Sequence, residues 1–353
     1  MAELIRILVL SSGDGTGINF CNSLKLIDKK YYIIGTDTNI YRIHYATADE
    51  YYLLPDPNSN EYWPTLLKLI RKTKPDFIYA SDTNKELMLL SNRREEISTS
   101  LFLPTKSAVS IYEDKWQSYK CFQAAGIKVP QTILISQKSD IDKSIRQFGN
   151  IWLRSTYGSG GYGSISTNDP ILAEAWVNRY NGWGHFTAAE VLSKRMATWI
   201  GLWINGKLVV CQGRYRLHWE YANLAPSGVT GITGAQSTTS NPLIHKIALE
   251  AIHSIPHAPH GIVSVDFTYD SDGIPNPTEI QASRFYSSIY FLSKAGINFP
   301  DIYVTIGLTG EMPYLPNREH PLADNLVWLK TIDFPPKLTT LEEITLNEIK
   351  YKT

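Results

Sequence analysis

The order of strand-like and helix-like segments changes near residue 110, and this change most limits the folds open to the chain. Before it, apolar strand-like segments alternate with helices, beginning with Ile5–Leu10, a glycine-rich turn and a helix from Ile18. That order is typical of βαβ units in a doubly wound parallel sheet. After it, alternating segments flank Asn205-Gly206 and a second pair spans 261–285, which predicts antiparallel hairpins. We therefore expect an α/β part followed by an α+β part.

Local signals predict two boundaries near this change. Residues 101–105, LFLPT, form a short strand-like segment. A helix is expected to begin at Tyr112, because Glu113 and Asp114 suit the positive end of a helix dipole. It is expected to end at Gly126, a residue suited to a helix C-cap.

Composition and charge exclude several classes of protein. The 34 Lys and Arg residues balance 34 Asp and Glu residues, so the chain lacks the surplus positive charge of a general nucleic-acid-binding protein. The first apolar run is too short for a membrane helix and lacks a signal-peptide pattern. The three cysteines are far apart and form no CxxC pair, which favours buried thiols over a disulfide framework. We expect a soluble, cytoplasmic α/β protein with a localised site.

Glycines follow the first strand-like segment at Gly13, Gly15 and Gly17, and Asp37 lies at the end of the second. Such glycines let a backbone approach an anion at a helix N-terminus. Their spacing is GxGxG rather than the GxGxxG of dinucleotide-binding proteins, which disfavours NAD binding. A substrate contact and a purely structural turn both remain open.

A second glycine-rich segment follows the strand-like residues 151–155, which include Arg154. It contains Gly158, Ser159, Gly160, Gly161 and Gly163. Such a loop can donate backbone N–H groups to phosphates. No GK[ST] follows, so it is not a Walker A loop. A flexible hairpin tip is the alternative.

Two carboxylates lie on the two arms of the second hairpin. Inward-facing positions on paired strands bring Asp266 and Glu279 together. Oxygen ligands beside phosphates suit Mg²⁺, and Arg284 adds a planar donor group for a carboxylate or phosphate. A solvated acidic surface is the alternative, which the apolar flanking residues disfavour. Arg214 and Arg216 stand among aromatic residues and fit either substrate contact or packing.

Four blocks of sequence, in this order, resemble the ATP-grasp superfamily, in the branch similar to carbamoyl-phosphate synthetase and biotin carboxylase. They are EDKWQSYKCFQAAGIKVPQT, IWLRSTYGSGGYGS, AAEVL and VDFTYDSDGIPNPTEIQASRF. The resemblance extends from the first strand to about residue 310. It implies an ATP-grasp fold with a doubly wound N-terminal domain over 1–111, a small lid subdomain over 112–190 and an antiparallel C-terminal subdomain over 191–353.

The resemblance also implies roles for individual residues. The residues that would contact the ATP phosphates are Lys115, Arg154, Gly158, Ser159, Gly160, Gly161 and Gly163, and those that would contact adenine are Glu190, Val191 and Leu192. The Mg²⁺ ligands would be Asp266, Glu279 and Gln281. Arg284 and Arg214 would stabilise the tetrahedral intermediate. Gly15 and Asp82 are implied substrate contacts. The chain departs from the family pattern at Gln281, where the family usually has Asn, and by one extra residue before Arg284.

The activity implied is that of an ATP-dependent carboxylate–amine (or carboxylate–thiol) ligase, which forms an acyl phosphate and releases ADP. The cofactors implied are ATP and Mg²⁺, as two ions that Mn²⁺ could replace. The partners are a small carboxylate and an amine, not nucleic acid or membrane, and homodimerisation is the family's tendency. An ATP-grasp kinase or carboxylase, and an ATP-binding module without catalysis, are the alternatives.

Overall fold

The N-terminal part folds around a parallel sheet with the strand order β3-β2-β1-β4. The computed structural model describes residues 4–28, 30–80, 85–158, 160–161, 163–229 and 231–330. The strands of this sheet are β1 (Ile5–Leu10), β2 (Tyr31–Asp37), β3 (Glu50–Leu53) and β4 (Phe77–Ala80), and its helices are α1 (Gly15–Leu24), α2 (Tyr62–Thr73) and α3 (Lys85–Asn92). Helix α1 packs on one face and α2 and α3 on the other, which confirms the doubly wound arrangement.

The predicted strand at 101–105 is wrong. Within this region only Ser100 pairs with the sheet, in an isolated parallel bridge to Phe77. Pro104 has no N–H to donate to a ladder. Thr105 then caps helix α4 (Lys106–Glu113), because its hydroxyl accepts a hydrogen bond from the Ala108 N–H at 3.3 Å.

The helix predicted from Tyr112 is two helices, since α4 ends at Glu113 and α5 (Lys115–Ala124) begins after Asp114. Asp114 has an extended backbone, and its carboxylate accepts hydrogen bonds from the Trp116 and Gln117 N–H groups at 2.9 and 3.3 Å. Aspartate stabilises a helix as its N-cap more than in its interior. This cap makes Lys115 the first residue of α5.

A small antiparallel sheet follows, with the order β5-β8-β6-β7. Its strands are β5 (Thr132–Ile135), β6 (Ile151–Ser155), β7 (Ile165–Thr167) and β8 (Phe186–Glu190), and its helices are α6 (Lys138–Phe148) and α7 (Pro170–Arg179). The helices bury one face of the sheet in a separate apolar cluster that includes Ile141, Ile151 and Val177. This sheet lies within the segment predicted as a lid, whose boundaries stay a prediction.

The C-terminal part is built on an antiparallel sheet with the order β13-β12-β9-β10-β11-β14. Its strands are β9 (Met196–Ile204), β10 (Lys207–Trp219), β11 (Thr233–Thr239), β12 (Gly261–Tyr269), β13 (Pro275–Ala282) and β14 (Val327–Leu329), and its helices are α8 (Pro242–His253), α9 (Tyr290–Ala295) and α10 (Phe299–Thr309). Asn205 and Gly206 join β9 to β10 with φ angles of 47° and 83°, as the predicted hairpin requires.

One continuous core joins the parallel sheet to the C-terminal sheet. Aromatic rings from β4, α1, α10 and the segment after β13 meet in it, and the ring centroids of Phe20 and Tyr79 lie 3.9 Å apart. Phe285 is fully buried among them, and its backbone N–H donates to the Tyr79 hydroxyl at 3.0 Å. This packing holds the residues after β13 against the N-terminal sheet. Within the part of the chain described, none of the helices has the length and hydrophobicity needed to cross a bilayer.

Substitution Phe285→Ala is expected to lower the free energy of unfolding by about 3–5 kcal/mol, the range typical of Phe→Ala in a core. The loss comes from the buried ring and from the cavity that it leaves between Tyr79 and Tyr303. Denaturant unfolding measures the change, with Tyr314→Ala as the control because Tyr314 is 88% exposed. Equal stability of the two variants would contradict this account of the core.

Candidate active site

The Glu279 carboxylate lies near the two basic side chains to which the family resemblance assigned the phosphates of ATP. Glu279 lies on β13, with its Oε1 atom 3.6 Å from Lys115 Nζ and its Oε2 atom 3.9 Å from Arg154 Nη1. Lys115 comes from the start of α5 and Arg154 from β6 of the small sheet. Gln281 donates a hydrogen bond from its amide to Glu279 Oε1, and Arg154 Nη2 donates to the Thr278 carbonyl at 2.6 Å. Three separate elements therefore meet at this carboxylate.

Glu279 and the two cations Lys115 and Arg154 each stabilise the charged form of the other. Burial raises the pKa of Glu279, but the positive charges of Lys115 and Arg154 outweigh it, and the pKa lies below its ordinary value. Burial lowers the pKa values of Lys115 and of Arg154, and Glu279 counters part of that shift in both. Glu279 thus remains an anion at neutral pH beside two buried cations.

Asp266 lies directly opposite Glu279 in the pairing of β12 with β13. Both of its oxygens accept hydrogen bonds from Arg216 Nη2, at 2.8 and 2.7 Å. Arg216 is on β10, and β9 separates that strand from β12. The sequence predicted the neighbouring carboxylates but not the ion pair, because Arg216 reaches Asp266 across an intervening strand.

The donor and acceptor set fits a metal-bound nucleotide. Asp266, Glu279 and Gln281 place carboxylate and amide oxygens on adjacent strands, and Mg²⁺ prefers oxygen ligands. Within the described residues, the buried Nε atoms of Arg216 and Arg284 have no hydrogen-bond partner. Unpaired buried N–H groups of cations are costly, and phosphate or carboxylate oxygens would satisfy them.

The glycine-rich loop of the small sheet lies over Lys115. The Lys115 ammonium donates a hydrogen bond to the Gly158 carbonyl. Gly161 has a φ of 73°, and a Cβ at that position would collide with the Val229 backbone carbonyl. A Cβ on Gly231 would likewise meet Gly160 Cα, so the loop packs closely against Val229 and Gly231. Ser159 lies outside the described residues.

The hinge predicted for adenine follows β8. The Glu190 carboxylate accepts a hydrogen bond from the Gln131 N–H at 2.8 Å, which ties β8 to the start of β5. Val191 is exposed and Leu192 is half-buried, so both are at the surface between the two antiparallel sheets. The adenine contacts of these residues stay a prediction.

A second group of basic residues lies beside the first. Arg214 is 2% exposed, stacks over the Tyr286 ring at 3.5 Å, and donates through Nη1 to Gln236 and to the Ser288 hydroxyl at 2.7 Å. Lys330 Nζ donates to the Ser287 carbonyl at 3.0 Å. Among the residues described, no carboxylate lies within salt-bridge distance of Arg214 or Lys330. Within the described part of the chain, these two cations therefore have no carboxylate in direct contact, although the charge of Asp266 acts on Arg214.

Burial, together with the smaller effect of the Arg214 charge, lowers the pKa of Lys330 to about 8. Burial also lowers the pKa of Arg214, to about 10. Sequence reasoning missed Lys330, because an isolated lysine far from every motif carries no signal. Gly15, at the start of α1, lies next to Ser287: a Cβ on it would be 3.4 Å from Ser287 Cβ. Asp82 lies outside the described residues.

Arg284 lies in the chain between Glu279 of the first group and Tyr286 of the second. Ser283 has a φ of 67° and directs the chain out of β13, which accommodates the extra residue before Arg284. The charge of Arg284 acts on both Glu279 and Glu113, lowering the pKa of each against the effect of burial. The structure thus brings together the predicted residues Lys115, Arg154, Asp266, Glu279, Gln281 and Arg284, with Arg214 beside them.

The whole architecture is similar to that of several solved structures. A carboxyaminoimidazole synthetase from Staphylococcus aureus, complexed with ADP, has a TM-score of 0.65 and 18% identity over 90% of this chain and 80% of its own. A biotin carboxylase from Campylobacter jejuni has a TM-score of 0.67 and 15% identity over 92% and 74%. An L-amino acid ligase from Bacillus licheniformis has a TM-score of 0.64 and 12% identity over 88% and 75%.

No protein-family model matches the sequence, and no curated protein sequence does. The structural similarity nevertheless extends over 90% of the chain or more for two of these structures. The chain has the ATP-grasp fold, as the four sequence blocks predicted.

Proposed function

We propose that this chain is an ATP-dependent ligase that joins a small carboxylate to an amine, releasing ADP and phosphate. The observation that carries the proposal is the meeting of Lys115, Arg154 and Glu279 from three elements, with Asp266 in register beside them. The similar structures are of a synthetase complexed with ADP, a biotin carboxylase and an L-amino acid ligase, which supports the same general chemistry here.

In this proposal Lys115 and Arg154 bind the phosphates of ATP, and the N–H groups of Gly158, Ser159, Gly160, Gly161 and Gly163 cover them. Glu190, Val191 and Leu192 bind adenine. Asp266, Glu279 and Gln281 would hold Mg²⁺, as two ions that Mn²⁺ could replace. When bound, the metal neutralises charge on the transferred phosphoryl group.

The reaction then needs positioning more than covalent chemistry from the protein. A substrate carboxylate oxygen attacks the γ-phosphorus, the bond to the β–γ bridging oxygen breaks, and ADP leaves. The amine attacks the acyl carbon of the resulting acyl phosphate, and inorganic phosphate leaves. Arg284 and Arg214 stabilise the negative oxygen that develops on that carbon. The closed glycine loop keeps water from hydrolysing the acyl phosphate.

An ADP-release screen of amino acids and other small carboxylates, bicarbonate included, with and without amines, tests the proposal. We expect ADP release that depends on one carboxylate, and an acyl hydroxamate when hydroxylamine replaces the amine. ADP release with bicarbonate alone would favour the carboxylase alternative. ATP binding without ADP release across the whole panel would favour a nucleotide-binding module and contradict the ligase.

The pocket of Arg214 and Lys330 is where we place an anionic group of one substrate, because no carboxylate of the described residues lies within salt-bridge distance of either cation. Tyr286 would contact an adjacent planar or apolar part of that substrate. We further propose a cytoplasmic location, and a homodimer as the assembly.

Activity is expected to fall as the pH rises through about 8, because Lys330 then loses the proton that makes it a cation. The fall should appear in kcat/KM for the anionic substrate, and Lys330→Met should remove it while raising KM. Deprotonation of Lys330 does not destabilise the folded chain, so unfolding does not explain such a loss of activity. The unfolded chain keeps this proton up to the ordinary pKa of 10.5, whereas the folded chain loses it at about 8. Between these two pH values the unfolded chain binds more protons, so the free energy of unfolding rises with pH. A Lys246→Met control, at an exposed site, should keep the wild-type profile.

Gly161→Ala is expected to raise the KM for ATP, because alanine disfavours a φ of 73° and its Cβ would push the loop away from Val229. Steady-state kinetics with ATP varied measures the effect. Gly149→Ala is the matched control: its φ is 72°, but a Cβ there meets nothing within 4 Å. A KM for ATP equal to that of the control would mean that the contact of the loop with Val229 is irrelevant to nucleotide binding.

A further inference from the structure

A cysteine and two histidines meet on the face of the C-terminal sheet that packs against α8, opposite the face carrying Arg214. Cys211 is on β10, His245 on α8, and His320 in the segment between α10 and β14. Cys211 Sγ lies 3.8 Å from His245 Nδ1, and His320 Nε2 lies 3.1 Å from the same nitrogen. One donor atom from each residue falls within 4.8 Å of the other two. None of the three takes part in the proposed ligase chemistry.

We propose that Cys211, His245 and His320 bind one Zn²⁺ ion, with water as the fourth ligand. Zinc binds thiolate at about 2.3 Å and imidazole nitrogen at about 2.0–2.1 Å in tetrahedral sites, which separates neighbouring donor atoms by about 3.3–3.6 Å. The observed separations of 3.8 and 3.1 Å lie close to that range. Thiolate and imidazole are also the ligands that zinc prefers among protein side chains.

The surroundings of His245 suit a metal ligand. Glu319 Oε2 lies 3.6 Å from His245 Nε2, so the carboxylate favours a proton on Nε2 and leaves the Nδ1 lone pair facing Cys211 and His320. Metal-binding histidines commonly donate their other N–H to a carboxylate in this way. The His245 side chain is 18% exposed and that of Glu319 is 64% exposed, which gives an ion a path from solvent.

The surroundings of Cys211 hold its sulfur as a protonated thiol when no metal is bound. Burial raises the pKa of the Cys211 thiol to about 12, and the backbone N–H of His320 and the indole N–H of Trp199 counter part of that rise. The Trp199 indole N–H also donates to His245 Nδ1, at 3.2 Å. When a metal takes the lone pair of Nδ1, this N–H would donate to the Cys211 sulfur alone. Zinc binding displaces the thiol proton to solvent.

His320 must present Nε2 to the metal with its proton on Nδ1. In the structure the Gly213 N–H points to His320 Nδ1 at 3.3 Å, a long contact that opposes this tautomer only weakly. The backbone around His320 is held in place by hydrogen bonds from Cys211 N to Arg318 O and from His320 N to Cys211 O, at 2.9 and 3.0 Å. His320 itself has a φ of 49°, an uncommon conformation for a side-chain-bearing residue.

The site would join the segment between α10 and β14 to the centre of the sheet. That segment leads through β14 to Lys330. A bound ion therefore stabilises the folded chain and the approach to the second basic pocket, without touching the reacting groups.

The test uses the full chain freed of metal by a chelator, with excess Mg²⁺ present to occupy the carboxylates of the other site. Addition of Co²⁺ should give a thiolate-to-metal charge-transfer band that saturates at one equivalent, and Zn²⁺ should displace it. Calorimetric titration with Zn²⁺ should give one site. Zinc at about 100 times its Kd should raise Tm by several degrees, because binding to the folded state alone adds stability.

Cys211→Ser and His320→Gln should each abolish the charge-transfer band and the rise in Tm. The matched controls Cys121→Ser and His257→Gln should keep both. Absence of the band in the wild-type chain would overturn the proposal and leave these residues as a hydrogen-bonding network. Zinc binding that survives both site variants would overturn it as well. Neither readout depends on ligase activity.

Discussion

Glu279→Gln is expected to reduce kcat for ADP formation about 10²-fold or more. The substitution keeps the size of the side chain but removes the negative charge between Lys115 and Arg154. It also removes an anionic oxygen that the proposed Mg²⁺ ligation requires. ADP release measured with the substrate found in the screen gives the loss, and a metal titration should show a raised requirement for Mg²⁺.

Glutamine is chosen over alanine because it keeps the volume and the hydrogen-bonding atoms of the side chain. Either substitution leaves Lys115 and Arg154 without their anion, which typically costs 3–5 kcal/mol. A variant that fails to fold would give no information on catalysis. Unchanged circular dichroism and a cooperative unfolding transition therefore accompany the assay. Glu250→Gln, at an exposed position of α8, is the control for losing one carboxylate charge. Wild-type turnover in Glu279→Gln would remove Glu279 from the metal site.

Arg284→Ala is expected to reduce kcat about 10²–10³-fold, as removal of one donor to a developing oxyanion does in other enzymes, with little change in the KM for ATP. Its Nε atom is buried without a partner in the described residues, and its charge acts on Glu279 and Glu113. Arg284→Lys keeps the charge but not the planar donor fork, so it should recover only part of the rate.

Two controls separate catalysis from folding in this case. Phe285 follows Arg284 and is part of the aromatic core, so the Tm of each variant must be compared with that of the wild-type chain. Arg146→Ala changes an exposed arginine of α6 and should behave as the wild type. An unchanged ligation rate in Arg284→Ala would exclude it from stabilising the tetrahedral intermediate.

Most of the elements could be predicted because their signals are local. The alternation of apolar residues and the Asn205-Gly206 turn define β9 and β10, and a run of apolar residues before a glycine-rich turn defines β1. Errors arose where two local signals compete. Asp114 suits the start of a helix, and in the structure it both follows one helix and caps the next, so the predicted boundary at Tyr112 fell within α4.

The sequence by itself determined the change from alternating strands and helices to antiparallel hairpins, because those patterns are local. The ATP-grasp fold was implied by the resemblance of four sequence blocks, and the phosphate and metal roles that it implies stay predictions. Only the tertiary structure decided which charges meet. Arg216 pairs with Asp266 across β9, Lys330 comes to Arg214 through β14, and Cys211 meets His245 and His320 beneath α8. Each contact joins residues far apart in the chain. Their distance in space depends on the order of strands in the sheet and on helix packing, which residue spacing does not encode.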